Sequence, residues 1–174
     1  MEKQTYIAFD AYALHDQVNS NWSNFRTLHA WQHSYQNRFS FNDLADIDFA
    51  MDHPAMIEST LRPYLTKKME VADNLLVIAS PVTDIKSGIL NWQIHQAVNF
   101  YHLPVVVAYA GLSSIDSQRI DQYVCWLPEK LVQLIADGSA KVAHIPLTMD
   151  KVERACKNFS KQEFLYPWNG KTIY

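Results

Sequence analysis

The fold class of this chain is decided by residues 74–111, which read NLLVIASPVTDIKSGILNWQIHQAVNFYHLPVVVAYAG. Two short apolar runs, 74–81 and 104–111, have the length and the β-branched content of buried strands. Between them, apolar residues recur at the three- and four-residue spacing of one helix face: Leu90, Ile94, Ala97, Val98 and Tyr101. The spacing predicts a helix over 88–101, which ends before Pro104. A strand, a helix and a second strand in this order form a right-handed βαβ unit with parallel strands.

The same alternation continues on both sides of this unit. Further strands are predicted over three segments: 3–10, 141–148 and, more weakly, 38–44. Helical spacing is found in four others: 20–35, 54–71, 127–136 and 149–159. We therefore predict one flavodoxin-like α/β domain over residues 1–160, with a mostly parallel five-stranded sheet in the order 2-1-3-4-5 and helices on both faces. The aromatic tail, 161–174, is expected to pack on the domain or on a partner.

Composition and charge exclude several classes of function. Of the 174 residues, 48% are hydrophobic and 19% are charged, which is typical of a globular protein. The net charge is −3 and there is no basic run, so nucleic acid is not expected as a partner. No apolar stretch is long enough to span a bilayer and no signal-peptide pattern is present, so no membrane association is expected. Cys125 and Cys156 are too few for a disulfide scaffold, and we expect them to be buried and reduced in a cytoplasmic protein.

The common phosphate and metal motifs are also missing. Four glycines allow neither a dinucleotide fingerprint nor a P-loop. His29 and His33 have the spacing of a zinc-binding helix, but Ala30 takes the place of the usual glutamate and no third ligand is evident. No metal site is therefore predicted, and His144, within a predicted strand, is interpreted as a core residue.

Topology predicts where a ligand would bind. In an open parallel sheet, ligands bind beyond the carboxyl ends of the strands, at the point where the strand order reverses. In the predicted order this point lies between the loop that follows residues 3–10 and the loop that follows residues 74–81. Six side chains of these loops and of the next helix are expected near one crevice: Asp10, Tyr12, His15, Thr83, Lys86 and Gln93.

Several motifs in sequence order resemble a known family. The first strand contains TYIAFD (5–10), and the segment 39–48 reads FSFNDLADID, with Asp43 and Asp46 or Asp48 at its acidic positions. The predicted strand 74–81 contains LLVIAS (75–80), and Trp92-Gln93-Ile94 lies about ten residues before Pro104-Val105-Val106. In this order the motifs resemble the TIR-like proteins of bacterial antiphage defence, particularly the Thoeris TIR-like subunit and its relatives, over about residues 3–160.

The resemblance implies an activity. TIR enzymes cleave the bond between nicotinamide and ribose in NAD, their substrate, without a prosthetic group, and some of them form homo-oligomers. In Thoeris-type systems, the ADP-ribose-derived product is a signal that a separate effector protein reads. Cleavage passes through an oxocarbenium-like ribose, which explains why the family has a catalytic glutamate.

In this chain Gln93 occupies the position of that glutamate. Glutamine keeps the shape but not the charge, so the resemblance implies that binding persists while the rate falls by about 10²–10³. Three interpretations stay open: a deliberately inactivated enzyme, which the intact surroundings favour, a natural pseudoenzyme, or a displaced alignment. The resemblance also implies seven nucleotide-binding positions: Phe9, Asp10, Tyr12, Asp43, Asp46, Lys86 and Trp92.

Three functions are therefore compared below. The first is an NAD-consuming TIR enzyme whose glutamate is replaced. The second is a non-enzymatic TIR-like module that self-associates or binds a nucleotide or partner. The third is another flavodoxin-like N-glycosidase that acts on nucleosides.

Overall fold

A parallel sheet of four buried strands forms the centre of the protein. The structure, a computed structural model, describes residues 3–10, 16, 18, 20–35, 38–41, 61–161 and 172–173. The strands are β1 (Thr5–Ala8), β2 (Asn74–Ala79), β3 (Val105–Tyr109) and β4 (Val142–Pro146). Each pairs with the next in parallel, and all their residues are buried. Burial along every residue of a strand means that both faces of the sheet are covered, which agrees with the apolar runs of the sequence.

Within the part of the chain that the structure describes, five α-helices connect and cover the strands. They are α1 (Trp22–Ser34), α2 (Arg62–Val71), α3 (Gly88–Asn99), α4 (Glu129–Ala136) and α5 (Met149–Asn158). The predicted helices are confirmed in position, although 54–60 lie outside the described residues and a 3₁₀ helix, Ile120–Trp126, was not predicted. None of the helices described is long and apolar enough to cross a membrane.

The N-terminus of α3 shows why this helix begins where it does. The Ser87 hydroxyl accepts a hydrogen bond from the backbone N–H of Leu90 at 3.3 Å, which satisfies one of the free donors of the first turn. The buried face of the helix contains Ile89, Leu90, Ile94, Ala97 and Val98, together with the polar Gln93.

The edges of the sheet are confirmed only in part. Within the segment 38–44, Phe41 forms a single parallel bridge with Thr5, and residues 42–44 lie outside the described residues. The five-stranded order 2-1-3-4-5 is therefore not confirmed, and β1 to β4 follow one another in chain order. At the opposite edge, two residues of the tail, Thr172–Ile173, form β5 beside β4.

The bridge at Phe41 nevertheless matters for the site. Thr5 pairs with Asn74 of β2 on one side and with Phe41 on the other. Phe39 and Phe41 are buried, with their rings stacked at 5.3 Å, so their side chains contribute to the core although their backbone forms little sheet. Because the chain lies on both sides of β1, a crevice opens beyond the carboxyl ends of β1 and β2.

Two polar contacts hold α5 against the sheet. Asn74, fully buried, donates through Nδ2 to the carbonyl oxygens of Cys156 at 2.8 Å and Phe159 at 2.9 Å. Arg38 donates through Nε to Glu153 at 2.6 Å, and so ties the segment beside β1 to the same helix.

The expectations for single core residues had mixed outcomes. Cys156 is buried as predicted, whereas Cys125 is exposed because it lies on the outer side of the 3₁₀ helix. His144 is buried, and its Nδ1 lies 3.0 Å from the Tyr109 hydroxyl, in agreement with a core residue.

Candidate functional site

A pocket lies at the carboxyl ends of β1 and β2, between the start of α1 and the loop that leads to α3. Its volume of about 40 Å³ is enough for about three water molecules or part of a flat ring, so only one end of a larger ligand fits inside it. The described residues that line it are Ala8, Phe9, Asp10, Ser20, Asn21, Trp22, Phe25, Ile78, Val82, Thr83, Asp84 and Leu90.

Aromatic rings form one wall of the pocket. Trp22 and Phe25 stack with their ring centroids 5.9 Å apart and their planes 14° from parallel. Phe9 approaches Phe25 at 6.0 Å with a tilt of 56°. Flat apolar surfaces of this kind suit an aromatic ligand ring.

A hydrogen-bonded network holds the opposite wall. Asn21, at the N-terminus of α1, donates through Nδ2 to the Thr83 hydroxyl at 3.0 Å and accepts from the Ser80 hydroxyl at 2.6 Å. The Thr83 hydroxyl also accepts from the backbone N–H of Ser80 at 2.9 Å. The network connects α1 to the loop after β2, so it sets the width of the pocket.

Two carboxylates complete the lining. Asp10 lies two residues beyond the end of β1, and the exposed Asp84 lies in the loop after β2, where its Oδ1 accepts from the backbone N–H of Lys86 at 3.1 Å. No lysine, arginine or histidine is among the described residues that line the pocket. This charge pattern suits a neutral or cationic group better than a phosphate.

Gln93 lies behind the wall, fully buried, and contacts the backbone where β1 ends. Its Oε1 accepts from the Tyr6 hydroxyl at 2.7 Å and from the Phe9 N–H at 3.3 Å. Its Nε2 donates to the carbonyl oxygens of Phe9 at 2.6 Å and Ile89 at 3.1 Å. Burial raises the pKa of Tyr6 well above that of a free tyrosine, so its hydroxyl stays protonated and remains a donor.

The structure brings together some of the predicted site residues. Phe9, Asp10 and Thr83 line one pocket. Gln93 contacts Phe9 but is fully buried and is not among the described lining residues. Five other predicted positions lie outside the described residues: Tyr12, His15, Asp43, Asp46 and Asp48.

Two further predicted positions lie away from the described lining. Lys86 is exposed, and Trp92 is partly buried with the Arg62 guanidinium 5.1 Å from the centre of its ring. Trp92 therefore packs against α2, and in the described pocket Trp22 provides the tryptophan surface instead.

Sequence reasoning did not assign the residues of α1 or Asp84 to the site. One signal for α1 was present, since Ser20-Asn21 is a typical helix start directly before an amphipathic segment. A helix that follows β1 closely must begin near the carboxyl end of that strand. The sequence could therefore have placed four more residues at the crevice: Ser20, Asn21, Trp22 and Phe25.

Comparison with known families identifies the chain. The profile of the family described as "Thoeris protein ThsB, TIR-like domain" matches residues 6–114. The matched segment covers more than half of the chain and contains Gln93 and every described residue that lines the pocket. The chain belongs to the Thoeris ThsB TIR-like domain family.

Proposed function

We propose that this protein acts in antiphage defence and binds NAD, or a related ADP-ribose-derived nucleotide, by its nicotinamide riboside end, with the edge of the ring in the pocket beyond β1 and β2 and the ribose at the pocket mouth. The observation that carries the proposal is the pairing of an aromatic wall, Trp22 and Phe25, with two carboxylates, Asp10 and Asp84. The oxidised nicotinamide ring is flat and positively charged, so both surfaces favour it. The pyrophosphate would then lie outside the described lining.

The reaction that belongs to this ligand is cleavage of its nicotinamide–ribose bond. In the enzymatic version of the proposal, the protein releases nicotinamide and makes an ADP-ribose-derived signal for a separate effector protein. In this version it acts in the cytoplasm and self-associates as a homo-oligomer. Because Gln93 has no charge to stabilise an oxocarbenium-like ribose, the present sequence is expected to cleave NAD about 10²–10³ times more slowly than a form with a suitably placed carboxylate.

A second candidate function is a non-enzymatic module that binds the nucleotide without cleaving it. The bonding of Gln93 favours this candidate. All four hydrogen-bonding positions of the amide are used by Tyr6, Phe9 and Ile89, so the side chain is committed to the fold. A carboxylate in the same position would face two carbonyl oxygens, so this geometry does not favour Gln93 as a simple replacement for glutamate.

Calorimetry with NAD, NADH and ADP-ribose tests the binding step. NAD is expected to bind more tightly than NADH, because the reduced ring carries no positive charge. Asp10→Ala and Tyr12→Ala should weaken NAD binding. Asp137→Ala is the matched control, because this aspartate lies in the turn before β4, at the other end of the sheet. Equal losses in all three variants, or no binding of any nucleotide by the unmodified protein, would refute the proposed site.

Mass spectrometry of the same mixtures tests the reaction step. Nicotinamide release, measured with and without extract from infected cells as a trigger, separates the two candidates. Release by the unmodified protein supports the enzyme, whereas binding without release supports the module. Activity on nucleosides but not on NAD would select the third function, a different N-glycosidase.

A further inference from the structure

The amide of Gln93 matches its surroundings atom by atom. Its oxygen meets two donors, the Tyr6 hydroxyl at 2.7 Å and the Phe9 N–H at 3.3 Å. Its nitrogen meets two acceptors, the carbonyl oxygens of Phe9 at 2.6 Å and Ile89 at 3.1 Å. A backbone N–H can only donate and a carbonyl can only accept, so the orientation of the amide is determined by its partners.

Both backbone groups of one residue are held in this way. The ladder between β1 and β2 ends at Ala8, which pairs with Val77. At Phe9, the next residue, the Gln93 side chain accepts from the N–H and donates to the carbonyl. The side chain thus supplies the two hydrogen bonds that a neighbouring strand would supply. As a result, the hydrogen-bonded part of the backbone continues one residue beyond β1, to Phe9 in the pocket wall.

We propose that Gln93 is a positioning residue that fixes Phe9 and, through it, Asp10 in the pocket wall, and that this role explains the glutamine at this position. The proposal rests on the proposed function only for the identity of the ligand. It differs from the expectation that Gln93 is the neutral remnant of a catalytic glutamate. If Gln93 were such a remnant, a carboxylate should fit at position 93. The hydrogen-bond partners of the side chain indicate that a carboxylate does not fit there.

A carboxylate would lose both donors of the amide. One of its oxygens would face the carbonyl oxygens of Phe9 and Ile89, in a site where Gln93 is fully buried. The unfavourable contacts and the burial would both raise the pKa of the introduced carboxyl. Once protonated, the carboxyl has one O–H, so it can donate to only one of the two carbonyls.

The chain provides a matched control on the same helix. Asn91 donates through Nδ2 to the carbonyl oxygens of Ile85 at 3.0 Å and Ser87 at 2.9 Å, and its Oδ1 accepts from the backbone N–H of Lys130 at 2.9 Å. Its amide therefore also bridges backbone groups, but it holds the start of α4, and it is not among the described residues that line the pocket. Asn91→Asp makes the same chemical change as Gln93→Glu without touching Phe9.

The experiment compares Gln93→Glu and Asn91→Asp with the unmodified protein. Both variants are expected to lose thermal stability. Only Gln93→Glu should bind NAD more weakly at pH 7.5, by about tenfold, which corresponds to the loss of one hydrogen bond. Its affinity relative to the unmodified protein should recover as the pH falls, because protonation restores one donor. Burial raises the pKa of Tyr6 well above that of a free tyrosine, so its hydroxyl stays protonated throughout this pH range.

Exchange of the Phe9 backbone N–H with solvent, followed by nuclear magnetic resonance, is a second readout that needs no ligand. Although a carboxylate can still accept from the Phe9 N–H, its second oxygen repels the Phe9 carbonyl and should displace this residue. Exchange should therefore be faster in Gln93→Glu and unchanged in Asn91→Asp. If Gln93→Glu does not fold, Tyr6→Phe takes its place. Its control is Tyr109→Phe, because the hydroxyl of that buried tyrosine contacts His144 instead of Gln93. Faster Phe9 exchange only in Tyr6→Phe supports the proposal.

The outcomes separate the proposals. If the unmodified protein binds no nucleotide, the proposed function fails, and the Phe9 exchange rates still decide the role of Gln93. If Gln93→Glu keeps the Phe9 protection and the NAD affinity of the unmodified protein, the positioning role is refuted. An increase in nicotinamide release by Gln93→Glu of about 10² or more would also refute it and would restore the interpretation of a lost catalytic glutamate.

Discussion

Thr83→Val is expected to destabilise the pocket wall without changing its shape. Valine replaces the hydroxyl with a methyl group, so the Asn21 amide loses its acceptor at 3.0 Å and the backbone N–H of Ser80 loses its acceptor at 2.9 Å. Asn21 keeps a longer contact with the Ile78 carbonyl at 3.4 Å. Two bonds of about 0.5–1.5 kcal/mol each set an upper limit of about 3 kcal/mol for the loss. Because Thr83 is half-buried, water replaces part of this, and we expect a loss of about 1–2 kcal/mol.

Urea unfolding and calorimetry measure the two consequences. With an m-value of about 2 kcal/mol per molar, the unfolding midpoint should fall by about 0.5–1 M. NAD affinity should fall by about three- to tenfold, because Asn21 and Thr83 both line the pocket. Thr83→Ser keeps the hydroxyl and should retain most of both properties. A valine variant as stable as the unmodified protein, or a serine variant as damaged as the valine one, would refute the reasoning.

Two predictions concern the attachment of α5. Hydrogen bonds from Arg38 and then Lys157 lower the pKa of Glu153 from 4.5 to about 2. The stabilisation is therefore fully present above about pH 4.5 and is lost as the pH falls towards 2. Arg38→Met should remove the share of this pH dependence that Arg38 contributes, while Lys157 keeps the rest, and parallel urea-unfolding profiles for both proteins would contradict it. Asn74→Ala removes the donor for two carbonyls at the end of α5 and should cost about 2–4 kcal/mol in the same assay, and a cost below about 1 kcal/mol would count against that role.

Local patterns in the sequence were sufficient for the central part of the fold. The apolar runs that predicted β2 and β3, and the helical spacing that predicted α3, depend on neighbours within one segment, and the structure confirms all three. The edges of the sheet depend on which distant segment pairs with β1 or β4. Single-sequence periodicity does not contain that information. The alternation in 38–44 therefore predicted a strand, of which the described residues 38–41 contain one bridge, and the pairing of Thr172–Ile173 with β4 was not predicted.

The location of the pocket could be predicted because it follows from topology. Phe9, Asp10 and Thr83 lie at or just beyond strand ends, and the rule for open parallel sheets places such residues together from the order of strands and helices alone. The rule gives the position of the backbone but not the direction of each side chain. A ligand-binding role for Trp92, inferred from a motif, stays a prediction, and the structure shows its ring packed with Arg62.

Gln93 shows most clearly what the chemical type of a residue leaves undetermined. The sequence places an amide where the resemblance to TIR enzymes implies a carboxylate, and from the missing charge one expects a weak catalyst. In the structure, Nε2 of Gln93 donates its two hydrogens to the carbonyl oxygens of Phe9 and Ile89. A carboxylate has no such hydrogens. Phe9 and Gln93 both lie within residues 6–114, the segment that matches the family. This chain therefore has an amide that is bonded to the backbone behind its pocket wall, and we expect a carboxylate at position 93 to need different local backbone contacts as well as a different charge.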